Sequence, residues 1–341
     1  MKSALKRAAF GLALISATIA PASAQSIEQF YKGKTISVVV GIEQGTGFDL
    51  YGRALARHMG RHIPGAPTMI VTNMPGASGL ISFNWLANVA PKDGSTFAIA
   101  SFSVPFEPMF GNERALFKGP QLKWIGNMDQ GVSVCLGRSD SGIGKWSDLM
   151  ERELTVGAAG RAGAISQAPR ALIELSGVKL KLIEGYVGTA SIKLATERNE
   201  VQGVCGISLS TVRTQWQDVL DSGLVKILLQ LGPKSNPNLV GIPHVFDFAK
   251  GEDERKVYNL IFGPQGLGRS FAAPPDTPAE RVNALRDAFT ATMNDERFLE
   301  DAKKIKLDIQ PQSGAEVQAF VETLYATEPA IIARARKVLG R

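Results

Sequence analysis

His58 and His62 stand four residues apart, the spacing at which two imidazoles share a helix face and can hold zinc. No glutamate base follows His58, because Met59 is next, and the third histidine is distant at position 244. A pair on a helix surface is the plainer reading. Gly45-Thr46-Gly47 carries two glycines of a dinucleotide fingerprint, but Leu50 occupies the place of the third. Thr72-Asn73 stands where an acid would hold the ribose. Gly33-Lys34-Thr35 looks like the end of a phosphate loop, yet Glu28 replaces its first glycine. Gly137-Arg138-Ser139-Asp140-Ser141 nearly forms a nucleophile elbow and lacks the closing glycine. With no nucleophile set beside a base, the expectation is a protein that is not an enzyme and uses neither metal nor cofactor. What remains is Gly, Ser and Thr gathered in loops, which suits backbone amides and hydroxyls holding a small anion.

Those loops follow strands. Thr35–Val40 is β-branched and reads as a buried strand, and Gly41 to Phe48 is a glycine-bearing loop. Asp49 then reads as the cap of a helix that runs to about His62, where Pro64-Gly65-Ala66-Pro67 stops it. A second strand at 68–72 leads to a loop at 73–78 and a helix at 79–89, and a third strand spans 96–100. Strand, helix, strand, helix, strand makes a parallel unit. Residues 130–235 repeat the grammar, with strands at 132–136, 154–157, 179–183, 201–205 and 225–231. Helices are expected over 164–176, 192–199 and 208–220, the tail from Pro278 is mostly helical, and the proline-rich segment 232–276 has no clear pattern. In open α/β sheets a ligand sits beyond the carboxyl ends of the strands. That rule selects loops 41–48, 73–78 and 101–106 in the first unit and 158–164, 185–191 and 206–208 in the second. Any one of them could simply be a tight turn; two facing sets would make a cleft.

The composition fits a two-domain globular protein: 341 residues, 44% apolar and 21% charged. Lys2, Lys6 and Arg7 precede an uncharged run from Ala8 to Ala20, and Ala22-Ser23-Ala24 is an A-x-A cleavage site. The run is shorter than the roughly 20 residues that span a bilayer, which favours a cleaved export signal over an anchor. Residues 1–24 hold three of the 38 cations and none of the 32 acids, so the mature chain carries +3. That mild charge gives no reason to expect nucleic acid. An oxidising compartment permits a bridge between the two cysteines, Cys135 and Cys205; two separate buried thiols are the alternative.

Several stretches carry a family resemblance. GKTISVVVG, GTGFDLYGRALARHM, IVTNMPGASGLISFNWLANVAPKDGSTFAIA and FAAPPDTPAERVNALRDAF together resemble the extracytoplasmic solute receptors of tripartite tricarboxylate transporters, the Bug family. The likeness covers most of 30–300. Its most specific piece is Asn73 to Gly79, similar to the family's Asn-Arg-Pro-Gly-Ala-Gly-Gly, followed by the stretch at 274–278. Gly185-Tyr186-Val187-Gly188-Thr189 and Glu197 to Gly203 look like the family's second-domain pattern.

The resemblance implies an α/β, two-lobed periplasmic-binding-protein type II fold, each lobe a mainly parallel sheet flanked by helices, with the ligand cleft between lobes. Lobe 1 would comprise 25–129 and 236–341, and lobe 2 would be 130–235. It implies a monomeric, periplasmic receptor that takes a small carboxylate and delivers it to integral membrane transporter subunits. By motif, the site falls on Gln44, Gly45, Thr46, Asp49, Gly76, Ala77, Ser78, Gly79, Ser101 and Phe102 in lobe 1, and on Gly160, Arg161, Ala164, Gly188, Thr189 and Ser191 in lobe 2. The amides of 76–79 at a helix start would cradle a carboxylate. Thr46, Ser78, Thr189 and Ser191 would donate hydroxyl hydrogens. Asp49 cannot face a carboxylate directly, so it caps a helix or binds through water. Arg161 would grip a second carboxylate or stay solvated, and Phe102 would face an aromatic ring or close the cleft.

One stretch departs from the family. Its first loop reads Pro-Phe-x-x-Gly-Gly, whereas here it is Gly41-Ile42-Glu43-Gln44-Gly45-Thr46-Gly47. Glu43 would repel an anion or accept an amine or hydroxyl, which leaves room for an aromatic or hydroxylated acid. The alternatives are a sensory protein that presents its ligand to a membrane signalling receptor, and an exported enzyme on the same two-lobed frame.

Overall fold

The computed structural model describes residues 26–341; the expected export signal at 1–24 lies outside the described residues. Among the described residues, eleven strands form two sheets. The first contains β1 (Thr35–Val40), β2 (Thr68–Asn73), β3 (Thr96–Ile99), β4 (Lys123–Asn127), β10 (Ser270–Ala273) and β11 (Gln312–Ser313), in the order β11-β4-β10-β3-β1-β2. The second contains β5 (Ser133–Arg138), β6 (Leu154–Gly157), β7 (Leu180–Ile183), β8 (Gly203–Ser208) and β9 (Val225–Leu231), in the order β7-β6-β8-β5-β9. The chain passes from the first sheet to the second between Asn127 and Ser133 and leaves the second after Leu231.

The two-lobed α/β frame is as expected, but the sheets are mixed rather than mainly parallel. β1 lies parallel to β2 and β3, whereas β10 runs antiparallel to both β3 and β4. In the second sheet β6 is parallel to β7 and β8, while β5 is antiparallel to β8 and β9. The antiparallel members are strands that return from the other lobe or from the tail. β4 and β10 carried no clear strand signal because each is short and buried, without two-residue alternation. Segment 232–276 thus contains a strand, and also the helix Glu252–Phe262. That helix packs against Pro329–Val338 and against Ala164–Ser176, which follows β6 of the second sheet.

Central strands are buried on both faces. All four residues of β3 and all six of β5 are buried, which suits their apolar or small composition; the exception, Arg138 at the end of β5, is paired with Asp140. Phe97, Phe271 and Phe289 meet edge-on or tilted between the first sheet and its helices, and Trp216 fills the core beside the second. Burying each such ring contributes on the order of 2 kcal/mol. Cys135 and Cys205 are register partners on β5 and β8 and form a disulfide.

Candidate functional site

The loops beyond the carboxyl ends of β1, β2, β3, β6, β7 and β8 converge on one cavity of about 470 Å³ between the lobes. Apolar side chains such as Ile42, Phe48, Phe102, Ile165 and Ile207 supply much of its wall. Polar groups from both lobes interrupt that wall, among them Thr46, Ser78, Ser208 and Thr211.

The turn after β2 has an uncommon backbone. Gly76, Ala77, Ser78 and Gly79 take φ values of 139°, 48°, 60° and 98° in succession. Left-handed conformations cost roughly 1–2 kcal/mol for residues with a Cβ, so Ala77 and Ser78 hold strain that the surrounding fold maintains. Gly79 has no alternative, since a Cβ there would run into Ala100. The loop after β6 packs straight onto this turn: a Cβ on Gly160 would lie 2.9 Å from the Ala77 Cα. Ser78 Oγ donates to the Gly160 carbonyl at 3.2 Å, and Ser103 Oγ donates to that of Ala162 at 2.7 Å. The lobes therefore touch across the cleft.

Of the residues expected at the site, Thr46, Gly76, Ala77, Ser78, Ser101 and Phe102 line the cavity from the first lobe. Gly160, Arg161, Ala164, Gly188 and Thr189 line it from the second. Gln44 and Gly45 are exposed, and the Gly45 carbonyl accepts from Gln215 Nε2 at 2.6 Å. Gly79 lies beneath its turn. Ser191 Oγ donates to the Gly188 carbonyl at 2.8 Å and so secures a helix start. Thr189 Oγ1 donates to Gln215 Oε1 at 2.9 Å. Arg161 is exposed and donates to the Gly340 carbonyl at 2.9 Å.

Asp49 needs a correction as a helix cap. The helix begins earlier, at Gly47, and Thr46 caps it by accepting from the Asp49 amide at 3.4 Å. The Asp49 carboxylate is buried and accepts from the Gly45 amide, Arg53 Nε and Asn73 Nδ2, each at 2.9 Å. Burial pushes its pKa up, but the bonds from Arg53, Gly45 and Asn73 outweigh it and hold the carboxyl below its ordinary value. Its role is to pin the first loop to β2. His58 and His62 face Asp301 and Asp295 at 2.9 and 2.7 Å, on the helix side away from the cleft.

Three charged cavity residues lay outside the expected set: Glu43, Glu184 and Arg269. Glu184 accepts from Arg170 Nη2 at 2.7 Å. The Glu43 carboxylate reaches across to Gly188, where an added Cβ would lie 3.1 Å from its Oε2. Its loop position was visible in the sequence. Arg269 was not, because the strand it precedes, β10, was unassigned. Its side chain is fully buried, and its Nη2 lies 2.7 Å from Ser208 Oγ, 3.1 Å from Ser210 Oγ and 3.0 Å from Thr211 Oγ1 of the other lobe. The guanidinium stacks over Phe48 at 4.2 Å.

Such a cavity, walled by apolar side chains and rimmed with donors from two lobes, can enclose a small molecule and hold an anionic end. Residues 52–336 match the family model described as tripartite tricarboxylate transporter family receptor. The periplasmic binding protein BugD is 21% identical, with 90% of this chain and 98% of that chain covered and a TM-score of 0.69. Rpa4515 of R. palustris, solved with adipate, is 18% identical over 90% of this chain and 97% of its own, with a TM-score of 0.67. MatC of Rhodopseudomonas palustris, solved with bound malate, is 16% identical over 90% and 99%, also with a TM-score of 0.67.

Proposed function

From the premise that this chain belongs to the tripartite tricarboxylate transporter receptor family, we propose that it captures one small organic acid between its lobes and delivers it to a membrane transporter. Receptors of this family are periplasmic solute-binding proteins that work with membrane components. In this reading the signal is cleaved after Ala24, residues 25–129 with 236–341 form lobe 1, residues 130–235 form lobe 2, and the mature protein acts as a monomer without turning its ligand over. The lobes close like a hinge, which traps the acid and marks the loaded state for the transporter.

The carrying observation is the convergence of six strand-end loops, from both sheets, on one cavity. Amides and hydroxyls there suit a carboxylate, and the volume suits a small molecule. The acids bound by the structural neighbours, adipate and malate, support the carboxylate class. Glu43 and the apolar wall favour an acid that is aromatic or hydroxylated.

A thermal-shift panel of adipate, malate, benzoate and 4-hydroxybenzoate tests this. A ligand at a hundredfold excess over its Kd stabilises the folded state by about 2.7 kcal/mol. At least one acid is expected to raise Tm and to be recovered unchanged after dialysis. A flat panel would count against the receptor reading, and a converted acid would favour an enzyme.

A further inference from the structure

We infer that Arg269, buried in the cavity wall, is the residue that recognises the ligand's negative charge, acting through the Ser208 and Thr211 hydroxyls as donors. This rests on the receptor reading and deepens it.

Arg269 is a cation in search of a counter-charge. Its side chain is fully buried, yet its hydrogen bonds go to three hydroxyls and to its own neighbour's carbonyl at Gly268. No carboxylate among the described residues hydrogen-bonds to it, and its Nε has no partner. Asp129 is the nearby acid, but one of its oxygens is spent on the Gly131 amide at 2.7 Å and the other is unpartnered. Burial moves the Asp129 carboxyl upward, although the Arg269 charge nearby draws it down. A buried charge without a hydrogen-bonded ionic partner is costly, and an anion arriving from outside would offset that cost.

The surroundings direct that charge into the cavity. Ser208 Oγ accepts from both Arg269 Nη2 and the Thr211 amide, and it lies 2.9 Å from Thr211 Oγ1, so one hydroxyl of this pair donates to the other and the second keeps its hydrogen for a ligand. Ser208, Thr211 and Arg269 all line the cavity, and the guanidinium contacts both hydroxyls. The helix Gly47–Met59 starts at the same end: a Cβ on Gly47 would lie 3.0 Å from Arg269 Nη2. The first amides of that helix have no intrahelical acceptor and add positive potential. Arg269 and Gly47 belong to the first sheet's lobe, whereas Ser208 and Thr211 belong to the second's. The carboxylate seat is complete only when the lobes meet, which couples anion binding to closure.

The test pairs each acid with its neutral amide, benzoate with benzamide and adipate with adipamide, using the mature protein in calorimetry. Wild type is expected to bind one of these acids at least about 30-fold more tightly than its amide, the scale of a buried charge contact. Arg269→Met, which keeps length and apolar packing, should lose about that factor for the acid and change little for the amide. Arg269→Lys should recover part of it, and Ser208→Ala with Thr211→Val should weaken the acid selectively. Should Arg269→Met fail to fold, the wild-type ratio and the hydroxyl variant decide. Equal binding of acid and amide, or an Arg269→Met protein with wild-type acid affinity, overturns the role of Arg269 and leaves the receptor reading standing. Absence of any acid binding in wild type removes both.

Discussion

Ser78 donates its hydroxyl to the carbonyl of Gly160 at 3.2 Å, although 82 residues separate them in the chain. The bond joins the strained turn after β2 to the loop after β6, across the cleft. Both partners are backbone-dominated: one needs positive φ, the other the absence of a Cβ.

Gly160→Val should therefore hold the lobes apart. Its Cβ would face the backbone of Ala77 and Ser78, at 2.9–3.0 Å, and backbone cannot swing away as a side chain can. Apparent affinity falls with the closed fraction, so a loss of about 10-fold or more is expected for any acid that wild type binds. Small-angle scattering should show a larger radius that ligand no longer reduces. A variant that compacts with ligand like wild type would show that this contact does not control closure.

Glu43 places a carboxylate on the cavity wall. Glu43→Gln removes its repulsion of an anionic ligand while keeping the side chain's size. Affinity for the acid should rise roughly 3-fold to 10-fold, as expected for one charge interaction near solvent. The gain should shrink with added salt. A drop in affinity would instead mean that Glu43 accepts a hydrogen bond from the ligand, as an amine or hydroxyl group would offer.

The disulfide between Cys135 and Cys205 closes a separation of 70 residues. In the chain-entropy model such a loop contributes on the order of 4 kcal/mol. Unreduced mature protein should show no alkylatable thiol by mass spectrometry, and reduction should lower Tm. Two reactive thiols in denatured, unreduced protein would contradict the bridge.

Stability should fall in acid. Hydrogen bonds from Arg61 and His62 hold Asp295 below its usual range, and those from His58 and Arg57 do the same for Asp301. Asp49 is also held low, its three bonds outweighing burial. A carboxylate with a depressed folded pKa contributes stability above its unfolded value near 3.9, and that contribution is lost as pH drops through the folded value. Asp129, raised by burial, acts in the opposite sense: its contribution is present at low pH and fades as pH rises. The carboxyls held low outnumber the one held high, which predicts a Tm that declines as pH falls below about 5. Asp49→Asn should lower Tm at neutral pH and flatten the decline. An unchanged acid limb would remove Asp49 from this account.

Much of the site was legible because strand-end loops are local features. The β-branched run at 35–40 and the glycines after it lie within a few residues of one another, so β1 and its loop could be read directly. The same holds for Asn73 to Gly79, where composition signals a turn. Asp49 and Ser191 were read as site residues because residue type reveals chemistry but not direction. Asp49 turns toward Arg53 and Asn73, and Ser191 serves its own helix start. One rotamer separates such roles, and packing selects it.

The chain's own order of strands, glycine loops and helices was enough to determine two α/β lobes and the six loops at their meeting edge, since each signal spans fewer than ten residues. Tertiary structure alone decided that β10 runs back between β3 and β4 and thereby buries Arg269 opposite Ser208. Those two residues are 61 positions apart. Nothing local encodes such a meeting, because strand pairing and desolvation of a charge depend on what the rest of the chain packs around them.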